Sequence, residues 1–113
     1  MNYEEIMSQL ILHGGNARGA AYEALDEAQT FNFTEAEKLL EEADEEFVKG
    51  HQYQTKLIQN QDDQAKPSFL MIHAQDHLMT AQAELQLIKR MIEQLRTTEK
   101  LEKRIEKLEQ RTE

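Results

Sequence analysis

The chain contains no cysteine and no tryptophan. Without a thiol it can form no disulfide, offer no thiolate to zinc and use no cysteine nucleophile. Proline occurs once, at Pro67, valine once, at Val48, and glycine only four times. No apolar run approaches the roughly 20 residues that a membrane-spanning helix requires. The opening "MNYEEIMSQL" lacks the basic flank and cleavage site of a secretory leader, so the expected compartment is the cytoplasm. Positive charge is also short: 13 bases face 22 acids, for a net charge of −9. That balance argues against nucleic acid as a partner and favours partners with a basic contact face.

What is present is helix-forming. Ala, Leu, Glu, Gln and Lys dominate the 113 residues, a length that fits one small domain. A mean hydropathy of −0.77 is low enough for a disordered chain, yet the apolar residues are periodic rather than scattered. Three stripes at helical spacing are expected. The first runs through Ile6, Leu10, Ala17, Ala21, Ala24, Leu25 and Ala28, behind a capping box of Asn2 and Glu5. The second runs through Ala36, Leu39, Leu40, Ala43, Phe47, Leu57 and Ile58, with a box of Thr34 and Glu37 and Phe33 as a hydrophobic staple. After the loop "QNQDDQAKP", whose Pro67 suits a first helical turn, the third runs from Leu70 through Ala74, Leu78, Ala81, Leu85, Ile88 and Ile92 to Leu95.

The expected fold is all-α, an antiparallel three-helix bundle. Its domain spans residues 1–98, and 99–113 form a helical C-terminal extension in which five acids balance five bases. Leu101, Ile105 and Leu108 continue the apolar spacing there, as in a short coiled coil or a frayed helix. A third helix so much longer than its neighbours points to self-association. The segment "HGGNARGAA" reads as close helix–helix approach over small residues, since no strand precedes it and the Walker spacing is absent.

Chemistry concentrates in "MIHAQDHLMT", residues 71–80. With about 100 degrees of rotation per residue, His77 lies about 40 degrees to one side of His73 and Asp76 about 60 degrees to the other. Two histidines are too few for a zinc site, and Ala74 stands where the metalloprotease pattern needs glutamate, which discounts a metal-dependent hydrolase. Phosphoryl transfer through histidine fits better. Neutral imidazole, with a pKa of about 6.5, is a nucleophile near pH 7. A second histidine one turn away can donate a hydrogen bond to the incoming phosphoryl oxygens.

The strings "HAQDHLMT" at 73–80, "NARGAAYEAL" at 16–25 and "HQYQTKLI" at 51–58 resemble the IIA component of the lactose/cellobiose (diacetylchitobiose) branch of the bacterial sugar phosphotransferase system. The likeness runs from about residue 4 to 95, and Ala74 is closer to the cellobiose and chitobiose members. It implies a phosphocarrier in which His73 accepts a phosphoryl group on Nε2 from HPr and passes it to a cysteine of the cognate IIB protein. The membrane IIC transporter is then an indirect partner, and the sugar a disaccharide. The resemblance also implies a homotrimer whose Asp76 residues share Mg²⁺, or another divalent cation, on the threefold axis. Three converging carboxylates need such compensation, and an all-oxygen site suits a hard ion. His77 is expected to support the phosphoryl group, and His13 to be structural. The competing reading is a non-catalytic helical oligomer with a regulatory or interaction role.

Overall fold

The computed structural model describes residues 2–59 and 68–112. They form three α-helices, α1 (Tyr3–Gln29), α2 (Phe33–Gln59) and α3 (Phe69–Thr112), with no strand among the described residues. The all-α expectation holds. The loop signal around Pro67 falls at residues 60–67, outside the described residues.

Each start has a local cause. Asn2 Oδ1 accepts the backbone N–H of Glu5 at 2.9 Å, so the expected cap is formed. Helix α2 begins two residues earlier than the Thr34–Glu37 box requires. The carbonyl of Asn32 already accepts the N–H of Ala36, which puts Thr34 inside the first turn instead of at the cap. The reason lies in how α1 ends. The Phe31 N–H bonds to the Ala28 carbonyl and the Asn32 N–H to the Glu27 carbonyl, a Schellman closure. Phe31 occupies the left-handed region at φ 63°, a position usually taken by glycine. Phe33 likewise is no staple: it stacks on Phe31 and lies beneath the Arg96 guanidinium of α3, 4.5 Å from the ring centre. At α3, Ser68 Oγ accepts the Met71 N–H at 3.1 Å and caps the helix.

Packing follows the stripes, with α1 as the central element touching both other helices far more than they touch each other. At one end Ile6, Met7 and Leu10 of α1 meet Leu57 of α2 and Ala74 and Leu78 of α3. At the other, Ala21, Ala24 and Ala28 meet Ala36, Leu40 and Ala43 together with Leu85, Ile88 and Ile92. Alanine lines the C-terminal half of α1's inner face, at Ala17, Ala21, Ala24 and Ala28, which draws the helices close at small cost in side-chain entropy. Two expected core residues point outward: Ile58 and Leu70 are exposed. Leu57 takes the inward position in α2, and the 3–4 spacing of α3 extends back to Met71.

Small residues make room at one place in particular. A Cβ on Gly14 would stand 3.4 Å from the His77 carbonyl oxygen and 3.5 Å from Leu78 Cα, so α1 and α3 approach backbone to backbone there. Gly50 of α2 faces the same side chain from the other side, where an added Cβ would stand 2.7 Å from Leu78 Cδ1. Gly15 and Gly19 face open space, so of the segment's glycines only Gly14 serves the close approach, alongside the buried Ala17 and Ala21.

His13 is structural, as expected. Its Nδ1 donates to Glu46 Oε2 at 2.6 Å and its ring stacks on Tyr53, tying α1 to α2. The hydrogen bond from His13 holds the Glu46 carboxyl below its ordinary value against the opposing effect of burial, with Asn16 and Lys49 adding to the lowering. A depressed carboxyl pKa contributes stability that is full above the unfolded value and lost as pH falls through the folded one. Glu46→Gln is therefore expected to be less stable than the natural chain near neutral pH. The gap should close as acid protonates Glu46, which urea titrations repeated across the acid range would measure.

Candidate functional site

The site lies on the second and third turns of α3, one turn beyond its Ser68 cap. Ala74 and Leu78 anchor this stretch in the core at 0 % exposure, which turns their neighbours His73 and Asp76 to the surface and leaves His77 half-buried. The two imidazoles meet edge to face, with ring centres 5.6 Å apart and planes at 79°. His73 has no hydrogen-bond partner among the described residues. Its ring nitrogens are open to an incoming group, as a nucleophile requires.

His77 is held from α1. Arg18 Nε donates to Glu84 at 2.7 Å, one terminal nitrogen lies 3.3 Å from His77 Nδ1, and the other donates to Thr80 Oγ1. A guanidinium has donors only, so His77 Nδ1 must accept and the ring proton must sit on Nε2. One cation thereby fixes both the orientation and the tautomer of the second histidine. Thr80 Oγ1 in turn donates to the Asp76 carbonyl at 2.9 Å. Arg18 was not among the residues singled out from the sequence. The available signal was that it is the only Lys or Arg before Lys38, set in a run of small residues.

The "HQYQTKLI" segment divides. Gln54 is buried and its Nε2 donates to Gln75 Oε1 at 3.2 Å, joining α2 to the turn that carries His73 and Asp76. His51 stacks on Phe47, and the Thr55 hydroxyl bonds back to the His51 carbonyl. Both contacts stay within α2.

Asp76 is exposed, and its carboxylate has no ion-pair or hydrogen-bond partner among the described residues. No group of three or more His, Cys, Asp or Glu among those residues could hold a metal within one chain. Asp76 thus presents a free carboxylate, an oxygen donor of the kind that suits a hard cation, to solvent.

Beyond the body, α3 runs unbroken to Thr112, and residues 101–112 are all exposed. Among the described residues no helix is long and apolar enough to cross a membrane.

The chain is similar to known proteins in sequence and in fold. Residues 5–96 match the family described as the lactose/cellobiose-specific IIA subunit of the phosphotransferase system. The lichenan-specific phosphotransferase enzyme IIA component of Bacillus subtilis (strain 168) is 50% identical over 80 residues, 69% of this chain and 73% of that one. Among solved structures, the cellobiose-specific enzyme IIA of Bacillus anthracis superposes with a TM-score of 0.81 at 39% identity, covering 88% of this chain and 94% of that one. The IIA(Chitobiose)–HPr complex of the Escherichia coli N,N'-diacetylchitobiose branch gives a TM-score of 0.79 at 33% identity, covering 88% and 98%. The chain belongs to the lactose/cellobiose-specific IIA family of the phosphotransferase system.

Proposed function

We propose that this IIA component is a phosphocarrier that takes a phosphoryl group from HPr onto His73 Nε2 and hands it to the cysteine of a cognate IIB protein, in the uptake and phosphorylation of a disaccharide. The observation that carries the reading is an exposed His73, without a hydrogen-bond partner among the described residues, beside a second histidine whose tautomer Arg18 fixes. In the first step the His73 Nε2 lone pair attacks phosphorus. The bond from phosphorus to its carrier atom on HPr breaks, and the electron pair stays with HPr. In the second step the IIB thiolate attacks the same phosphorus, and the phosphorus–nitrogen electron pair returns to His73. The Nε2–H of His77 faces the phosphoryl oxygens as a donor while the group is resident. His73 keeps its Nδ1 proton throughout: the ring is an imidazolium while Nε2 carries the phosphoryl group and is neutral again once the electron pair returns, so no proton has to move between the two transfers.

Phosphorylation adds about −1.5 to −2 of charge at the site, by analogy with other phosphorylated side chains. A chain of net charge −9 then favours basic contact faces on HPr and on IIB, presented in turn to the same surface around His73. Mixing the chain with phospho-HPr and then with IIB tests the reading. Label should pass to the chain and on to a IIB cysteine. Failure of the first transfer with active HPr would leave a non-catalytic interaction module in its place.

Arg18 acts through His77 as a positioning residue. Arg18→Ala is expected to slow acceptance roughly ten-fold, the lower end of what one charge-assisted hydrogen bond contributes. Nitrogen chemical shifts should report a single Nε2–H tautomer of His77 in the natural chain and a mixture in the variant.

The assembly belongs to the same reading: antiparallel three-helix protomers joined as a homotrimer. On α3, Asp76 lies about 20 degrees from Leu87 around the helix axis, so it shares an outward apolar stripe with a residue that is itself 59% exposed. Three copies meeting along this stripe would bring three Asp76 carboxylates to one axis, where Mg²⁺ or another divalent cation would neutralise them. Asp76→Leu should then give a trimer that persists in chelator, whereas the natural trimer weakens. Light scattering with and without chelator would show the difference, and a variant that stays monomeric would count against the site.

A further inference from the structure

The exposed stripe of α3 continues into the C-terminal extension with a different period from the core. Leu87, Met91, Leu101, Ile105 and Leu108 are all between 43% and 59% exposed. With Gln94 and Thr98 between them, they fall at alternating intervals of four and three residues, the 3.5-residue repeat of a coiled-coil seam. The helices of the body end opposite Ile92 and Arg96, where Arg96 reaches Glu37 and Phe33. Among the described residues nothing of the same chain covers the seam beyond them, and residues 101–112 are exposed throughout.

The charges beside the seam identify what does. If Ile105 occupies the a position and Leu101 and Leu108 the d positions, the flanking e positions are Glu102 and Glu109, and the flanking g positions are Arg104 and Arg111. A parallel pair of such helices sets g of one chain against e of the next heptad in the other, so Arg104 meets Glu109. An antiparallel pair sets g against g and e against e, so Arg104 meets Arg111 and Glu102 meets Glu109. The extension is thus attractive to a parallel copy of itself and repulsive to an antiparallel one. It also carries five acids and five bases over residues 99–113, so it does not share the self-repulsion of a chain with net charge −9.

We infer that the C-terminal extension is a homotypic coiled coil in which the tails of assembled copies zip parallel and in register. Two heptads are too short to associate unaided, so the tails close because the bodies hold them together. The inference rests to that extent on the proposed assembly of the bodies. In return, the tails add a neutral, charge-selected clamp that fixes the direction and register of α3 in every copy, and so the height at which each His73 stands.

The absence of natural cysteine makes a direct test available, with Thr98→Cys and Thr112→Cys as separate single-thiol variants of the full chain, both at a positions. Mild oxidation at low protein concentration should cross-link each variant to itself in high yield. Adding Arg104→Glu and Arg111→Glu to Thr112→Cys should cut the yield several-fold at low salt, and further exchange of Glu102 and Glu109 to Arg should restore it. Light scattering on the same samples separates the two readings. An assembled protein that does not self-link at Cys-substituted position 112, or whose linking ignores the charge exchange, would overturn the parallel tail and leave the assembly standing. A protein that is monomeric and unlinked would overturn both.

Discussion

His73→Ala is expected to take up no phosphoryl group from phospho-HPr, against one per chain for the natural protein, while keeping its helix content, its stability and its assembly. The separation of the two effects follows from position. His73 is on the exposed side of α3 and has no hydrogen-bond partner among the described residues, so its removal opens no cavity and strands no buried donor. The neighbouring Ala74 and Leu78, which hold the helix in place, are untouched. His77 cannot substitute, because Arg18 occupies its Nδ1 and leaves a protonated Nε2 without a lone pair to attack with. Gel mobility of the phosphorylated form and circular dichroism of the variant would check both halves. Continued uptake at the natural level would show that the nucleophile is another residue.

The largest effect on stability is expected from Leu78→Ala. Leu78 is fully buried where the three helices meet, with Gly14 backing its Cα and Gly50 facing its Cδ1. Truncation removes three carbons and leaves a cavity between helices that cannot close further. The cost is about 2–5 kcal/mol, a large part of the roughly 5–15 kcal/mol that holds a domain together. Part of it is recoverable. A Cβ at Gly50 collides only with the Leu78 methyl and approaches His13 Cβ at 3.4 Å, so once that methyl is gone Gly50→Ala fills some of the space. It also gains up to about 1 kcal/mol of helix propensity. Urea denaturation of the four proteins in this cycle should show Gly50→Ala as more favourable with Ala at position 78 than with Leu. An additive cycle would mean that Gly50 and Leu78 are not packed as described.

Local patterns carried much of this into the sequence. The Asn2 cap, the alanine stripe of α1 and the core positions of α3 were legible because periodicity and capping depend on residues three and four apart. The features missed have other origins. The start of α2 depended on Phe31 adopting a conformation that favours glycine, which its residue type does not announce. Arg18 and His77 are 59 residues apart, and a contact between helices leaves no mark in either local pattern. Gly50 shows as a costly helix residue in sequence, and only the facing Leu78 side chain explains it. The candidate site divides in the same way. The His73, Asp76 and His77 cluster could be read from one turn of α3, whereas Asp76's proposed ligand set lies between chains.

The most direct measurement is to phosphorylate the nitrogen-15-labelled chain with phosphoenolpyruvate, enzyme I and HPr, and to locate the phosphoryl group by nuclear magnetic resonance. The account predicts a single phosphorus–nitrogen bond, on Nε2 of His73, with His13, His51 and His77 unmodified. A phosphoryl group on any other histidine, or none with both upstream proteins active, would contradict it.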